Sequence, residues 1–133
     1  LMKDDAICLT HTIGSTNPPG HDNAFINKYI FPGGKVPSLS QLVPSIEKYK
    51  LVLSDCESLI RHYDKTLKAW LDRFIENKDK AKNLFDKQFV RLFEFYLASC
   101  SAAFKYGDLL VYQLQIVKNY SALPSNRRNY IYQ

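Results

Sequence analysis

Residues 61–74, Arg-His-Tyr-Asp-Lys-Thr-Leu-Lys-Ala-Trp-Leu-Asp-Arg-Phe, constrain the fold more than any other stretch of the chain. Apolar side chains recur at Tyr63, Leu67, Trp70 and Phe74, the i, i+4, i+7, i+11 spacing of one helical face. Such a stripe reads first as core. Its N-terminal end sets Tyr63 between His62 and Asp64. Tyrosine and tryptophan keep a polar handle when buried, so the same face can also line a pocket.

Around this helix the chain reads as alternating elements. Residues 6–13, mostly apolar and stopped by Gly14, fit a strand buried on both faces, as in a parallel α/β sheet. Asn17-Pro18-Pro19-Gly20 is a loop by composition. Residues 26–31 mix apolar and aromatic side chains with Asn27 and Lys28, before Pro32-Gly33-Gly34 breaks the chain. Ser38 is a good N-cap for a short helix over 39–49, which Pro44 is expected to end or kink. A second strand is expected over 51–56, ahead of the long helix.

The polar run 77–80 marks a break, and a further long helix is predicted from Ala81 to Lys105. It carries Phe85, Phe89, Leu92, Tyr96, Cys100 and Ala103 at helical spacing. Residues 109–117, with Val111, Ile116 and Val117, read as a third strand, and 121–133 as a tail that two late tyrosines help to anchor. This order implies an α/β domain whose sheet is thin for two long amphipathic helices.

Composition narrows the function classes. The chain of 133 residues fits one domain, and no segment approaches the ~18 uninterrupted apolar residues of a membrane span. Cys8, Cys56 and Cys100 match neither a disulfide framework nor a zinc spacing, and a reducing cytoplasm is the simplest setting. The net charge of +5 favours polyanions, nucleic acid or anionic lipid alike. The chain opens Leu1-Met2 and enters an element almost at once, which reads as a missing upstream portion or a non-standard start.

No Gly-x-Gly turn follows a strand among the five glycines, so a nucleotide-type cofactor has no evident cradle. A P-loop, a His-Glu-x-x-His helix and a metal-ligand cluster are likewise missing from the sequence. His11, His21 and His62 are scattered. Cys100 falls on the apolar stripe of its helix, where a free cysteine behaves as a small hydrophobe. Lys78, Lys80, Lys82, Lys87 and Arg91 form a basic edge.

Several motifs occur together and in order. These are His11-Thr12-Ile13-Gly14, Tyr29-Ile30-Phe31-Pro32-Gly33-Gly34 with Pro37-Ser38, and His62-Tyr63 through Thr66-Leu67 and Ala69-Trp70 to Arg73-Phe74. Phe89, Arg91, Phe95-Tyr96-Leu97, Cys100, Ala103-Phe104 and Gln113 follow. Over almost its whole length the chain resembles the C-terminal part of cyclopropane-fatty-acyl-phospholipid synthases. The resemblance implies an S-adenosylmethionine-dependent methyltransferase with a Rossmann-like class I sheet. Residues 1–133 would then be the C-terminal part of one such domain, holding the fifth strand and the last two.

That family adds a methylene across a cis double bond of an acyl chain already in a phospholipid. The alkene attacks the sulfonium methyl, and a bound bicarbonate is thought to take the proton whose loss closes the ring. Matched by position, the bicarbonate-site residues present are His11, the backbone around Ile13, and Tyr63. Cys100 matches a cysteine sometimes designated as the family's active-site residue, although proton removal needs no thiol. The family's upstream cysteine and glutamate at the bicarbonate have no counterpart here, and its glycine-rich cofactor loop lies before the point where this chain begins.

The implied protein is a cyclopropane-synthase-like enzyme, cytoplasmic and peripheral at the inner membrane surface, inactive without a cofactor half supplied by a separate chain. A non-catalytic basic module that binds anionic lipids through its lysine-rich helices is the alternative. Nucleic-acid binding fits the charge but lacks a motif.

Overall fold

The computed structural model describes residues 2–20, 23–124 and 128–132, so His21 and Arg127 lie outside the described residues. Three strands, β1 (Ile7–Ser15), β2 (Val52–Leu59) and β3 (Leu109–Val117), form one sheet in the order β1-β3-β2. The last strand in sequence is central, and it runs antiparallel to both neighbours. Gln113 faces His11 on one side and Glu57 on the other.

Alternation along β3 builds two apolar layers. Leu110, Tyr112, Leu114 and Ile116 cluster with Ile46 of α2 (Leu39–Lys48). On the opposite face Val111 packs with Leu67 of α3 (His62–Glu76) and with Leu97 and Phe104 of α5 (Lys87–Tyr106). Val90, Leu97 and Phe104, the buried residues of α5, repeat every seven positions, the seam that lets two helices lie along one another. Phe74 and Phe93 close the far end of that seam with ring centroids 5.1 Å apart.

Several local expectations are corrected. The first strand does not stop at Gly14 but continues to Ser15, because the missing side chain leaves room for Tyr112. A Cβ on Gly14 would sit 2.3 Å from the Tyr112 ring. Nor is β1 buried on both faces; it is an edge strand with Ile7, Leu9 and Ile13 exposed, paired antiparallel to β3. Pro44 neither ends nor interrupts α2, since the carbonyl it leaves without a donor belongs to exposed Ser40. Ser38 does start α2, with the Gln41 side chain accepting from its backbone N–H at 3.0 Å.

The break between the long helices narrows to Asn77, whose side chain donates to the Arg73 carbonyl. A short α4 (Lys78–Leu84) follows at once. The predicted helix from Ala81 to Lys105 is therefore two elements, separated where Phe85 turns extended and Asp86 caps α5 by accepting from the Phe89 N–H. Residues 26–31 lie mostly in α1 (Ala24–Tyr29), started by Asn23, whose side chain accepts from the N–H groups of Phe25 and Ile26. In the tail, Arg128 pairs with Asp55, and Tyr130 accepts a 2.6 Å hydrogen bond from Gln115.

Candidate functional site

The two strands β1 and β2 run parallel to each other, with β3 reversed between them, and their carboxyl ends open toward the same edge. A cavity of about 820 Å³ lies there, where open α/β sheets place their ligands. One wall is the stripe of α3, with Tyr63, Leu67 and Trp70. A second is α5, with Tyr96, Ser99, Cys100, Ala103 and Phe104. The third comes from the chain between β1 and α2, including Phe31 and Val36.

Aromatic rings set the shape of the apolar part. The Tyr63 ring stands 5.1 Å from that of Phe104 and edge-on to Trp70 at 5.9 Å. Phe31 stands edge-on to Tyr96 at 6.1 Å. The rim near β1 is polar and tightly tied. Ser15 Oγ donates to Asp108 Oδ2 at 2.7 Å, Asn17 Nδ2 donates to the same oxygen at 2.9 Å, and the Tyr112 hydroxyl donates to the Ser15 carbonyl. These bonds fix the turn into β3 against the end of β1.

Of the residues singled out by sequence, Ile13, Tyr63 and Cys100 line this one cavity. His11 lies two residues before Ile13, on the same side of β1 by alternation, but it does not line the cavity. It is exposed, with Nδ1 3.2 Å from Gln113 Nε2. Among the described residues the Tyr63 hydroxyl has no protein partner, so it can turn to a ligand. Burial pushes the Cys100 thiol up, which keeps it protonated and a poor nucleophile at neutral pH. Burial also raises the Tyr96 phenol, with smaller contributions from Cys100 and Tyr63. No group of three His, Cys, Asp or Glu side chains able to hold a metal occurs among the described residues.

Sequence reasoning missed the polar rim and the role of α1. Ser15 and Asp108 are 93 positions apart and carry no local signal. Tyr96 stood on the predicted stripe, but nothing in that spacing tells a pocket wall from a core residue.

A central last strand, reversed between two parallel ones, with a cavity at their carboxyl ends, defines the C-terminal portion of a Rossmann-like methyltransferase fold. Matching to known proteins makes this specific. The profile of the family described as Mycolic acid cyclopropane synthetase matches residues 1–114, and the chain belongs to that family. The cyclopropane-fatty-acyl-phospholipid synthase of Escherichia coli K12 is 36% identical over 113 residues, which cover 85% of this chain and 29% of that protein. The structure of the cyclopropane synthase MmaA2 from Mycobacterium tuberculosis superposes with a TM-score of 0.77 at 25% identity, over 86% of this chain and 45% of that one. Mycolic acid cyclopropane synthase CmaA1, complexed with SAH and CTAB, gives 0.75 at 28% identity, over 83% of this chain and 43% of that one. The chain thus spans less than a third of the Escherichia coli synthase and under half of the two solved synthases.

Proposed function

We propose that this chain forms the acyl-chain side of a cyclopropane-synthase-type methyltransferase that works on unsaturated acyl chains of phospholipids, peripherally at a membrane surface. The observation that carries this reading is the cavity. It is apolar and aromatic along α3 and α5, and it lies at the strand ends where a transferred group would meet it. An acyl chain offers only apolar surface and, at a cis double bond, π electrons. Tyr63, Trp70 and Phe104 suit such a guest, and their ring faces favour positive charge developing on it. Among the described residues no helix is long and apolar enough to cross a membrane.

S-adenosylmethionine, when bound, supplies the electrophilic methyl group. The residues of this chain do not fit that cofactor. The turn after β1 contains Pro18 and Pro19, which have no N–H to offer, and no glycine-rich turn replaces it. A cofactor half, from a separate chain or segment, is part of this proposal. In this reading the Tyr63 hydroxyl and the backbone around Ile13 would hold a bicarbonate, with His11 two residues earlier on β1, and that anion would supply the base for ring closure. Cys100 packs against the guest without reacting.

Trp70, the single tryptophan of the chain, reports on the cavity directly. Phospholipid carrying a brominated acyl chain is expected to quench its emission saturably, whereas a lipid brominated only in the headgroup is not. Equal quenching by both would overturn the acyl-chain reading. In an enzyme reconstituted with a cofactor half, Tyr63→Phe is expected to lower kcat by about 10²-fold, the scale of losing one donor to a reactive anion, and to weaken bicarbonate dependence. Unchanged turnover would remove Tyr63 from the anion site.

A further inference from the structure

The chain between β1 and α2 does more than wall the cavity. Tyr29, Phe31 and Val36 are more than 40% exposed, as is Phe95 of α5. They form one patch rather than scattered contacts. The Phe25 ring bridges Tyr29 at 5.7 Å and Phe95 at 4.9 Å, while Phe31 reaches the cavity wall at Tyr96. Phe31 is thus both outside and inside, 56% exposed yet lining the cavity. Gly33, in the left-handed region at φ 76°, makes the turn that follows Phe31.

The segment that carries most of this patch is basic. Residues 23–38 contain Lys28 and Lys35 and no carboxylate, and Arg91 lies one helical turn before Phe95. None of the three basic side chains forms an ion pair among the described residues. The Lys28 ammonium lies 5.1 Å from the centre of the Tyr29 ring, so charge and apolar body share one surface. The lysines of α4 differ. Lys78 is paired with Glu94 at 2.5 Å and Lys82 with Asp79 at 2.6 Å, and Lys80 donates to Asn77 Oδ1.

We propose that the rim formed by Lys28, Tyr29, Phe31, Lys35 and Phe95 docks on an anionic phospholipid bilayer, and that an acyl chain enters the cavity there, between Phe31 and Tyr96. The proposal rests on the acyl-chain reading of the cavity. Exposed aromatics seat at the headgroup boundary, and basic residues beside them gain from the negative surface potential. The substrate chain then slides from bilayer to cavity along apolar surface.

Co-sedimentation with vesicles of equal phosphatidylglycerol and phosphatidylcholine tests the rim. Each basic residue near such a surface contributes about fivefold, so the double variant Lys28→Gln, Lys35→Gln is expected to partition about 25-fold more weakly. Tyr29→Ser, which changes an exposed side chain outside the cavity, is expected to weaken binding severalfold without loss of helical circular dichroism. The control Lys82→Gln on α4, a lysine already paired with Asp79, is expected to stay within about twofold. No binding by the parent protein, unchanged binding by both rim variants, or an equal loss in the α4 control would overturn the rim. A brominated fatty acid offered as monomer separates the two readings. If it fails to quench Trp70 while the rim variants still lose vesicle binding, the cavity reading falls and the docking surface stands.

Discussion

Strands β1 and β3 have the same length, yet opposite fates, and seven of nine residues are apolar in β3 against four in β1. In β3 six of nine residues are buried, and Val117 is fully so. In β1 only Gly14 is buried, and Leu9 is 62% exposed. The polar residues of β1 account for part of this, but position leaves even its Ile7, Leu9 and Ile13 exposed. Central β3 has a strand on each side and helices over both faces. The edge strand β1 pairs along its length with β3 alone. Apolar content marks a segment as able to be buried, while topology decides whether it is.

The contrast can be broken by substitution. The largest effect is expected in β3, where Leu114→Ala should cost about 2–5 kcal/mol, read as a lowered urea midpoint. Leu9→Ala on the edge strand should stay within about 0.5 kcal/mol in the same titration. Comparable losses at the two sites would mean that β1 is covered in solution.

Gly14→Ala sharpens the comparison at the single point where β1 is as confined as β3. Its new methyl meets the Tyr112 ring, and the cost should be about 1–3 kcal/mol, again from urea unfolding. A neutral result would show that Tyr112 can move aside.

The smallest effect separates the two regions by chemistry. Cys8 on the exposed strand should react with a thiol reagent at neutral pH well before Cys100, which is half-buried and held protonated. The native state retains the Cys100 and Tyr96 protons to higher pH than the unfolded chain does. Their contribution to stability is therefore intact below the ordinary thiol and phenol range, about 8.5 and 10, and is lost as the pH rises through it. Melting temperatures measured from pH 7 to 11 should fall, and Cys100→Ala should flatten the first part of the decline. Equal labelling rates for Cys8 and Cys100 would contradict the buried placement.

Those elements whose signals were local and long could be read before the structure. Tyr63, Leu67, Trp70 and Phe74 repeat over about three turns, and α3 follows that stripe. The β-branched run at Val111, Ile116 and Val117 gave β3 its bounds. The split at Phe85 was hidden because Phe85 stands in register with Phe89, and their rings stack at 4.5 Å across the break. Asp86 carried the true signal, a capping residue inside an apolar period. Helix α1, six residues long, is too short to show a period. The cavity was half legible. Tyr63 and Trp70 stood out by residue type, whereas the rim joins Ser15, Asn17 and Asp108 from opposite ends of the chain.

The central place of β3 also governs how the protein is made. His11 and Gln113, facing partners in the ladder, are 102 positions apart. The first two strands do not pair with each other, so as the chain leaves the ribosome they wait for the third. At about 5–20 residues per second, synthesis from the end of β2 to the end of β3 takes roughly 3–12 seconds. Until then Ile7, Leu9 and Leu53 are open to other chains, and helices α3 to α5, whose contacts are local, can form first. Release of the nascent chain before Val117 would leave two apolar strands and no sheet.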